Sequence, residues 1–371
     1  MMSARFLTVV LERAFNMRDG FGREIDYMRI SVIDSCNLNC YYCNPCDNNE
    51  HCHALNILSV KEVLCIVRAA TRLGIKHFRL TGGEPLLHPQ LDEMVLQIKK
   101  IPGVSSVSLT TNAVLLVQHA KWLKEAGIDS INVSLDTIDA SEYERITKKP
   151  LLEEVKHGIN AAIECGIRVK INVVLTPQTD VVALTRYVAK KGTDIRFIEM
   201  MPVGEGHTNG VEPYKKVIGT LSKLYGEPCR INTEKTKEIN SGNDKRKIPD
   251  NGPAEYYIFP ELGIRVGLIQ AIHGKFCDTC NRIRVTADGR LMPCLGSCVT
   301  MDLVPDSCEF TDDLEKDFVI VQALKDAIKA KPGCHNFNDN AVIYTKTTET
   351  KTTEIEAAEV NAARNMSRIG G

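Results

Sequence analysis

No apolar run in this sequence reaches the ~18 residues a helix needs to cross a bilayer. The opening stretch MMSARFLTVVLERAF is interrupted by Arg5, Glu12 and Arg13, so it makes a poor signal peptide. These two absences imply a soluble, cytoplasmic protein. Charge of one sign is also lacking: 46 Lys and Arg stand against 47 Asp and Glu, a net charge of -1, which argues against a protein built to coat nucleic acid. With 43% apolar residues the chain is not mainly disordered. Lacking an export signal, its fourteen cysteines point to metal chemistry before a disulfide framework. At about 150 residues per domain, the 371 residues allow two domains or one large α/β domain.

Short β-branched runs alternate with amphipathic stretches through the first two thirds of the chain, the pattern of repeated βα units. Strands are predicted over 27–34, 77–81, 104–110, 130–135, 168–175 and 195–200, and helices over 59–73 and 151–165. Ser59 with Glu62 forms a capping box, and Gly74 and Gly166 stand where helices stop. Six such strands fit a doubly wound sheet or an incomplete barrel. The polar stretch 232–253 reads as a surface loop, with a smaller domain after it and a helix or tail at the end.

Directly after the first strand, Cys36, Cys40 and Cys43 have C-x3-C-x2-C spacing, which places three thiolates around a cuboidal iron–sulfur cluster and leaves one iron open. Two rivals stay open: a closed cluster that includes Cys46, and a zinc site using Cys46, Cys52 and His51 or His53. The second strand ends in Thr81-Gly82-Gly83-Glu84-Pro85, where the glycines allow close approach to backbone and Glu84 can accept from an amine. The cysteine loop, this turn, Thr110, Asn112, Ser134 and Met201 all fall at carboxyl ends of strands, which in a parallel barrel converge on one mouth.

Cys36, Cys40 and Cys43 followed by GGEP resemble the radical S-adenosylmethionine enzymes. The resemblance implies that Tyr42, Gly82, Gly83, Glu84, Ser134 and Met201 hold S-adenosylmethionine. It also implies that a deoxyadenosyl radical made there abstracts a substrate hydrogen.

Further on, Cys277, Cys280 and Cys294 give C-x2-C-x13-C, open to a zinc site closed by Cys298, Cys308 or His273. With the embedded Arg282 and Arg284, this segment is similar to the GTP 3′,8-cyclase family, which opens molybdenum-cofactor biosynthesis. That likeness implies a second [4Fe–4S] cluster and GTP contacts from Arg29, Arg79, Thr110, Lys170, Arg196, Arg282 and Arg284. Catalytic parts fall to Arg282, Arg284 and the terminal Gly370 and Gly371. It further implies an external one-electron reductant, a downstream cyclic pyranopterin monophosphate synthase, no nucleic acid or membrane partner, and is compatible with a homodimer. Independently of family, Arg and Lys on core strands are costly to bury unpaired, and either a polyphosphate or barrel-end carboxylates would supply the anions.

The family pattern is broken at Ser35, where an Arg often stands, at Asn44-Pro45, where Met-Pro is usual, and at His77, where a Lys is common; Lys76 is placed to compensate. Eight further cysteines, among them Cys65, Cys165, Cys229 and Cys334, read mostly as small buried hydrophobes. The expected architecture is α/β: a partial (βα)6 TIM-type barrel over residues 1–225 and a smaller C-terminal domain over 226–371 carrying the second cluster. A radical enzyme acting on a peptide or another small molecule, and a non-catalytic metal-binding protein, are the alternatives.

Overall fold

The computed structural model of the chain describes residues 17–43, 56–203, 210–231, 252–296, 299–303, 313–335 and 337. The six predicted strands form as β1 (Tyr27–Ser31), β2 (His77–Thr81), β3 (Ser106–Thr111), β4 (Ser130–Ser134), β5 (Val169–Val174) and β6 (Asp194–Ile198), pairing in parallel in chain order. β1 stops short of the expected residue 34 because the Asp34 carboxylate accepts from Asn56 Nδ2 at 2.8 Å, which turns the chain into a loop.

Between the strands lie α1 (Val60–Arg72), α2 (Leu91–Lys99), α3 (Leu116–Glu125), α4 (Ala140–Thr147), α5 (Leu152–Glu164) and α6 (Val181–Lys190). The capping box of α1 is formed: Glu62 N donates to Ser59 Oγ at 3.3 Å, and Ser59 N donates to the Glu62 carboxylate at 2.8 Å. Gly74 ends that helix with φ +87° and Gly166 ends α5 with φ +68°, backbone angles that a residue bearing a Cβ rarely takes.

The remaining elements are α7 (Gly219–Tyr225), β7 (Cys229–Ile231), β8 (Glu255–Ile258), β9 (Arg265–Ile269), β10 (Arg282–Val285), β11 (Arg290–Met292), β12 (Met301–Asp302) and α8 (Asp313–Lys329). Their strands join the barrel sheet at both edges, giving the order β12-β11-β10-β1-β2-β3-β4-β5-β6-β9-β8-β7. β10 runs parallel to β1 and β9 runs parallel to β6, so eight parallel strands are flanked by antiparallel strands on each side. The expected boundary at 225/226 falls between α7 and β7, with strands of this one sheet on either side of it.

Strand alternation sorts the two faces. Met28, Ile30, Phe78, Leu80, Val107, Leu109, Ile131, Val133, Val173, Ile195 and Phe197 are fully buried in the main apolar core. α8 packs on α1, with an Arg72–Asp317 ion pair at 2.9 Å. The β9 and β10 sides of the open barrel are bridged where His335 Nε2 meets Ala271 O at 2.7 Å, and where Val203 and Met292 pack with Met201, Leu295 and Phe337. Among the described residues no helix is long and apolar enough to cross a membrane.

Candidate active site

The inner face of the sheet carries the chemistry. A barrel packed for stability fills its interior with branched apolar side chains. Here the inward positions are Tyr27 and Arg29 on β1, Arg79 on β2, Ser108 and Thr110 on β3, Asn132 and Ser134 on β4, Lys170 and Asn172 on β5, Arg196 on β6, and Arg282 and Arg284 on β10. They line a cavity of ≈ 660 Å³, within the usual range of about 300–1,000 Å³ for small-molecule sites.

Parallel register brings the cations together. Arg29 lies level with Arg79 on one side and Arg284 on the other, and Tyr27 lies level with Arg282. Burial, then Arg284, hold Arg29 well below its ordinary value; burial, then Arg282, bring Arg284 down to about 10. Burial alone would raise the Tyr27 hydroxyl, but Arg79, Arg29 and Arg282 outweigh it and draw it below its usual value. Several positive charges thus crowd one wall of the cavity, and their mutual repulsion falls when an anion enters.

Among the described residues, Arg79 and Arg196 are held by neutral groups. Arg79 donates to the Tyr27 hydroxyl, and to Leu109 O and Thr110 Oγ1 at 3.4 Å each; Arg196 Nε donates to Asn172 Oδ1 at 2.9 Å. Lys170 sits 5.8 Å from the Tyr256 ring and Arg282 sits 5.4 Å from that of Phe276. Arg196 Nη2 and Arg282 Nε are buried with no hydrogen-bond partner among the described residues. Gly267, opposite Arg196, is needed for clearance, since a Cβ there would lie 2.8 Å from Arg196 Cγ.

Cys36, Cys40 and Cys43 line the cavity at the carboxyl end of β1. Enclosure by the cavity walls pushes the Cys36 thiol up to about 11 and Cys43 to about 12, and burial also raises Cys40. Tyr42, between two of them, donates to Asp136, whose carboxyl also accepts from Val174 N at 2.7 Å; burial pushes that carboxyl up to about 6. Gly82 and Gly83 line the cavity, and the loop before Cys36 packs on them: a Cβ on Gly83 would lie 2.1 Å from Ser35 O, and one on Gly82 2.3 Å from Ile33 O.

Glu84 departs from its expected part as a cofactor ligand. It is 1% exposed and off the cavity wall, with its oxygens taken by Leu86 N at 3.0 Å, Thr111 Oγ1 at 2.7 Å and Asn112 N at 2.7 Å. It ties the turn after β2 to the loop after β3. Burial pushes its carboxyl up to about 7 against those three donors.

Cys277, Cys280 and Cys294 line the same cavity at its other end. The first two lie before β10, whose start is level with the start of β1, and Cys294 follows β11, which runs back toward that end. A strand of five residues, roughly 16 Å at 3.3 Å per residue, therefore separates the two thiol sets. Burial raises Cys294; at Cys280 burial acts the same way, but Arg282 and Lys331 outweigh it and the thiol falls below its usual value.

The donor chemistry fits two polynuclear clusters. Each set presents soft thiols, and a thiol enclosed in the cavity becomes a stable thiolate when iron supplies the countercharge. Among the described residues no three His, Cys, Asp or Glu side chains converge tightly enough to grip a single ion, whereas a cuboidal cluster takes one thiolate per iron.

Residues 30–183 match the profile of the Radical SAM superfamily, and residues 193–337 match that of Molybdenum Cofactor Synthesis C. A GTP 3′,8-cyclase of Clostridium perfringens (strain SM101 / Type A) is 36% identical over 324 residues, covering 86% of this chain and 95% of the relative. The chain belongs to the GTP 3′,8-cyclase family. Another relative of that name, from Petrotoga mobilis, is 34% identical over 362 residues, covering 96% of this chain and all of its own (100%). Among solved structures, Streptococcus suis SuiB bound to S-adenosylmethionine shares the fold with TM-score 0.52 at 15% identity; the likeness covers 81% of this chain and 65% of SuiB, just under two thirds.

Against the family pattern, His77 takes the inner-face position, with Nδ1 2.8 Å from Ser106 Oγ and Nε2 4.0 Å from Asp26. Lys76 does not compensate for it: alternation turns Lys76 off the cavity wall, and its Nζ lies 3.6 Å from Asp26. Of the four extra cysteines described, Cys65 is buried and Cys165 half-buried, while Cys229 and Cys334 are exposed, Cys334 on the cavity wall. Gly370 and Gly371, and with them Asn44, Pro45, Cys46, His51, Cys52, His53, Cys298 and Cys308, lie outside the described residues.

Sequence reasoning passed over Tyr27, Asn132, Asn172, Asp136, Arg23 and Lys331, all on the cavity wall. The first three stand two residues from an inner-face residue already singled out, so strand alternation could have found them.

Proposed function

We propose that the cavity is the active site of a GTP 3′,8-cyclase, converting GTP to (8S)-3′,8-cyclo-7,8-dihydroguanosine 5′-triphosphate in the first step of molybdenum cofactor biosynthesis. The observation that carries this reading is a polar, strongly cationic barrel interior enclosed between two sets of three thiols. Cys36, Cys40 and Cys43 would hold one [4Fe–4S] cluster, and Cys277, Cys280 and Cys294 a second. When bound, the first cluster would supply the electron that cleaves S-adenosylmethionine to methionine and the deoxyadenosyl radical, which would take the 3′ hydrogen of GTP; bonding of C3′ to guanine C8 would then be completed by one further electron, from the external reductant, and a proton.

The chain's own residues bind, orient and enclose. Arg29, Arg79, Lys170, Arg196, Arg282 and Arg284 neutralise the triphosphate, whose charge-assisted bonds relieve the crowding along β10, β1 and β2. Thr110 adds a neutral contact beside Arg79. Ser134, Met201, the Gly82–Gly83 backbone and Tyr42 lie toward the first thiol set and would hold S-adenosylmethionine, with Asp136 keeping the Tyr42 ring in place. Glu84 acts at one remove by fixing the turn that carries the two glycines.

The cation wall favours a triphosphate over a peptide substrate. A cytoplasmic setting, an external one-electron reductant and a downstream cyclic pyranopterin monophosphate synthase complete the reading. The test is incubation of the reconstituted protein with S-adenosylmethionine, reductant and each nucleoside triphosphate in turn. GTP alone should couple deoxyadenosine formation to a cyclised product. Equal deoxyadenosine with every nucleotide and no cyclised product would reject GTP as substrate.

A further inference from the structure

Lys331 follows α8 and is 2% exposed, an uncommon place for a lysine unless its ammonium is paired. Its Nζ donates to Arg282 O at 2.8 Å and to Pro293 O at 2.9 Å. Those carbonyls belong to the two segments that carry Cys280 and Cys294: one is two residues after Cys280, the other is next to Cys294. Lys331, Cys280 and Cys294 line the same cavity, which brings the ammonium to the side of the second thiol set. A lysine has three N–H donors, and this arrangement directs two to backbone and leaves one for sulfur.

The neighbouring backbone is anchored as well. Arg23, itself buried and paired with Asp19 at 2.6 Å, donates to Cys277 O at 2.7 Å, Gly333 O at 3.0 Å and Pro332 O at 2.6 Å. Segment 331–333 is thereby tied to the backbone around all three thiols of the second set. Arg23 fixes position by bonds to carbonyls, whereas Lys331 also brings a positive charge to the sulfurs.

We propose that Lys331 is a positioning residue for the second cluster, and that its ammonium holds the Cys280 and Cys294 segments together while raising the reduction potential of the cluster bound there. A fixed positive charge beside a cluster stabilises its reduced, more negative state, and hydrogen bonds to the sulfurs act in the same direction. The inference rests on the second thiol set holding a cluster.

The experiment is a potentiometric titration followed by electron paramagnetic resonance on the reconstituted full chain, comparing the parent with Lys331→Gln, Lys331→Met and Lys331→Arg. Added S-adenosylmethionine perturbs only the first cluster's signal and so tells the two apart. Iron and sulfide analysis comes first. Roughly eight of each per parent chain supports two clusters; roughly four would overturn the two-cluster reading and this inference with it. With two clusters present, Lys331→Gln keeps an N–H donor without the charge. It should load both clusters and move the second potential downward while leaving the first in place. Lys331→Met should show at least as large a downward shift, and Lys331→Arg should return the potential toward the parent. An unshifted second potential in loaded Lys331→Gln would overturn the proposal. Loss of the second cluster in all three variants would also overturn it, since the lysine would then be a structural peg whose charge does not matter.

Discussion

Arg29, Arg79 and Arg284 stand side by side because parallel strands in register place equivalent residues level with one another. Such a row costs stability in the empty protein and returns it when an anion binds. Replacing Arg29 by Met should therefore raise the melting temperature of the nucleotide-free protein, and should weaken GTP binding by about 1.5–3 kcal/mol, the range for a hydrogen bond to a charged group. Calorimetry with and without GTP checks both halves; a variant that melts lower and binds GTP normally would make Arg29 a structural residue. Arg282→Lys should recover only part of the affinity lost in Arg282→Ala, because the planar fork is gone.

Glu84 makes a different prediction at the same scale. Its folded value of about 7 lies above the ordinary 4.5, so the native state holds the proton more tightly than the unfolded chain. The stability this gives is complete below about pH 4.5 and is lost as pH rises through about 7. Glu84→Gln cannot ionise, so the melting temperature of the parent relative to this variant should fall across that window. A difference that instead rises through about pH 4.5 would mean that the three donors around Glu84 keep it ionised in the folded protein, and a constant difference would mean that folding does not change its affinity for the proton. The motif was legible in the sequence, but its role was not. Which oxygens face a ligand and which face Thr111 and Asn112 depends on the loop after β3, nearly thirty residues away.

Among the elements, the six strands and the capped helix α1 were legible because β-branched runs, Ser59 with Glu62, and Gly74 act locally. The joining of β9 and β10 to the barrel sheet was not. Residues 264–269 and 282–285 are rich enough in Val, Ile and Leu to suggest strands, but their partners lie far away in sequence. The turn after β2 carries the sharpest prediction at this scale. Gly83→Ala would drive a Cβ into Ser35 O, 2.1 Å away, so the loop carrying Cys36 must move. Reconstituted Gly83→Ala should contain about half the parent's iron, with the second cluster's signal intact. Full iron content with normal cleavage of S-adenosylmethionine would show that the loop yields without losing its thiols.

For the whole molecule, the open sheet curls so that one end of its inner face meets Cys36, Cys40 and Cys43 and the other meets Cys277, Cys280 and Cys294. Separate ends predict separable losses. Cys36→Ala should abolish cleavage of S-adenosylmethionine, whereas Cys277→Ala should spare much of that cleavage while stopping product formation; equal loss of cleavage in both would mean the ends do not act apart. The pairing of the two cysteine motifs was legible from spacing and resemblance. Arg23 and Lys331 were not, because an isolated basic residue in a polar stretch looks like surface until the carbonyls it serves are seen. The most direct measurement uses GTP carrying deuterium at C3′, incubated with the reconstituted protein, S-adenosylmethionine and reductant. The account predicts deuterium in the methyl group of 5′-deoxyadenosine and its loss from a 3′,8-cyclised nucleotide. Deoxyadenosine formed without deuterium, beside GTP recovered unchanged, would contradict it.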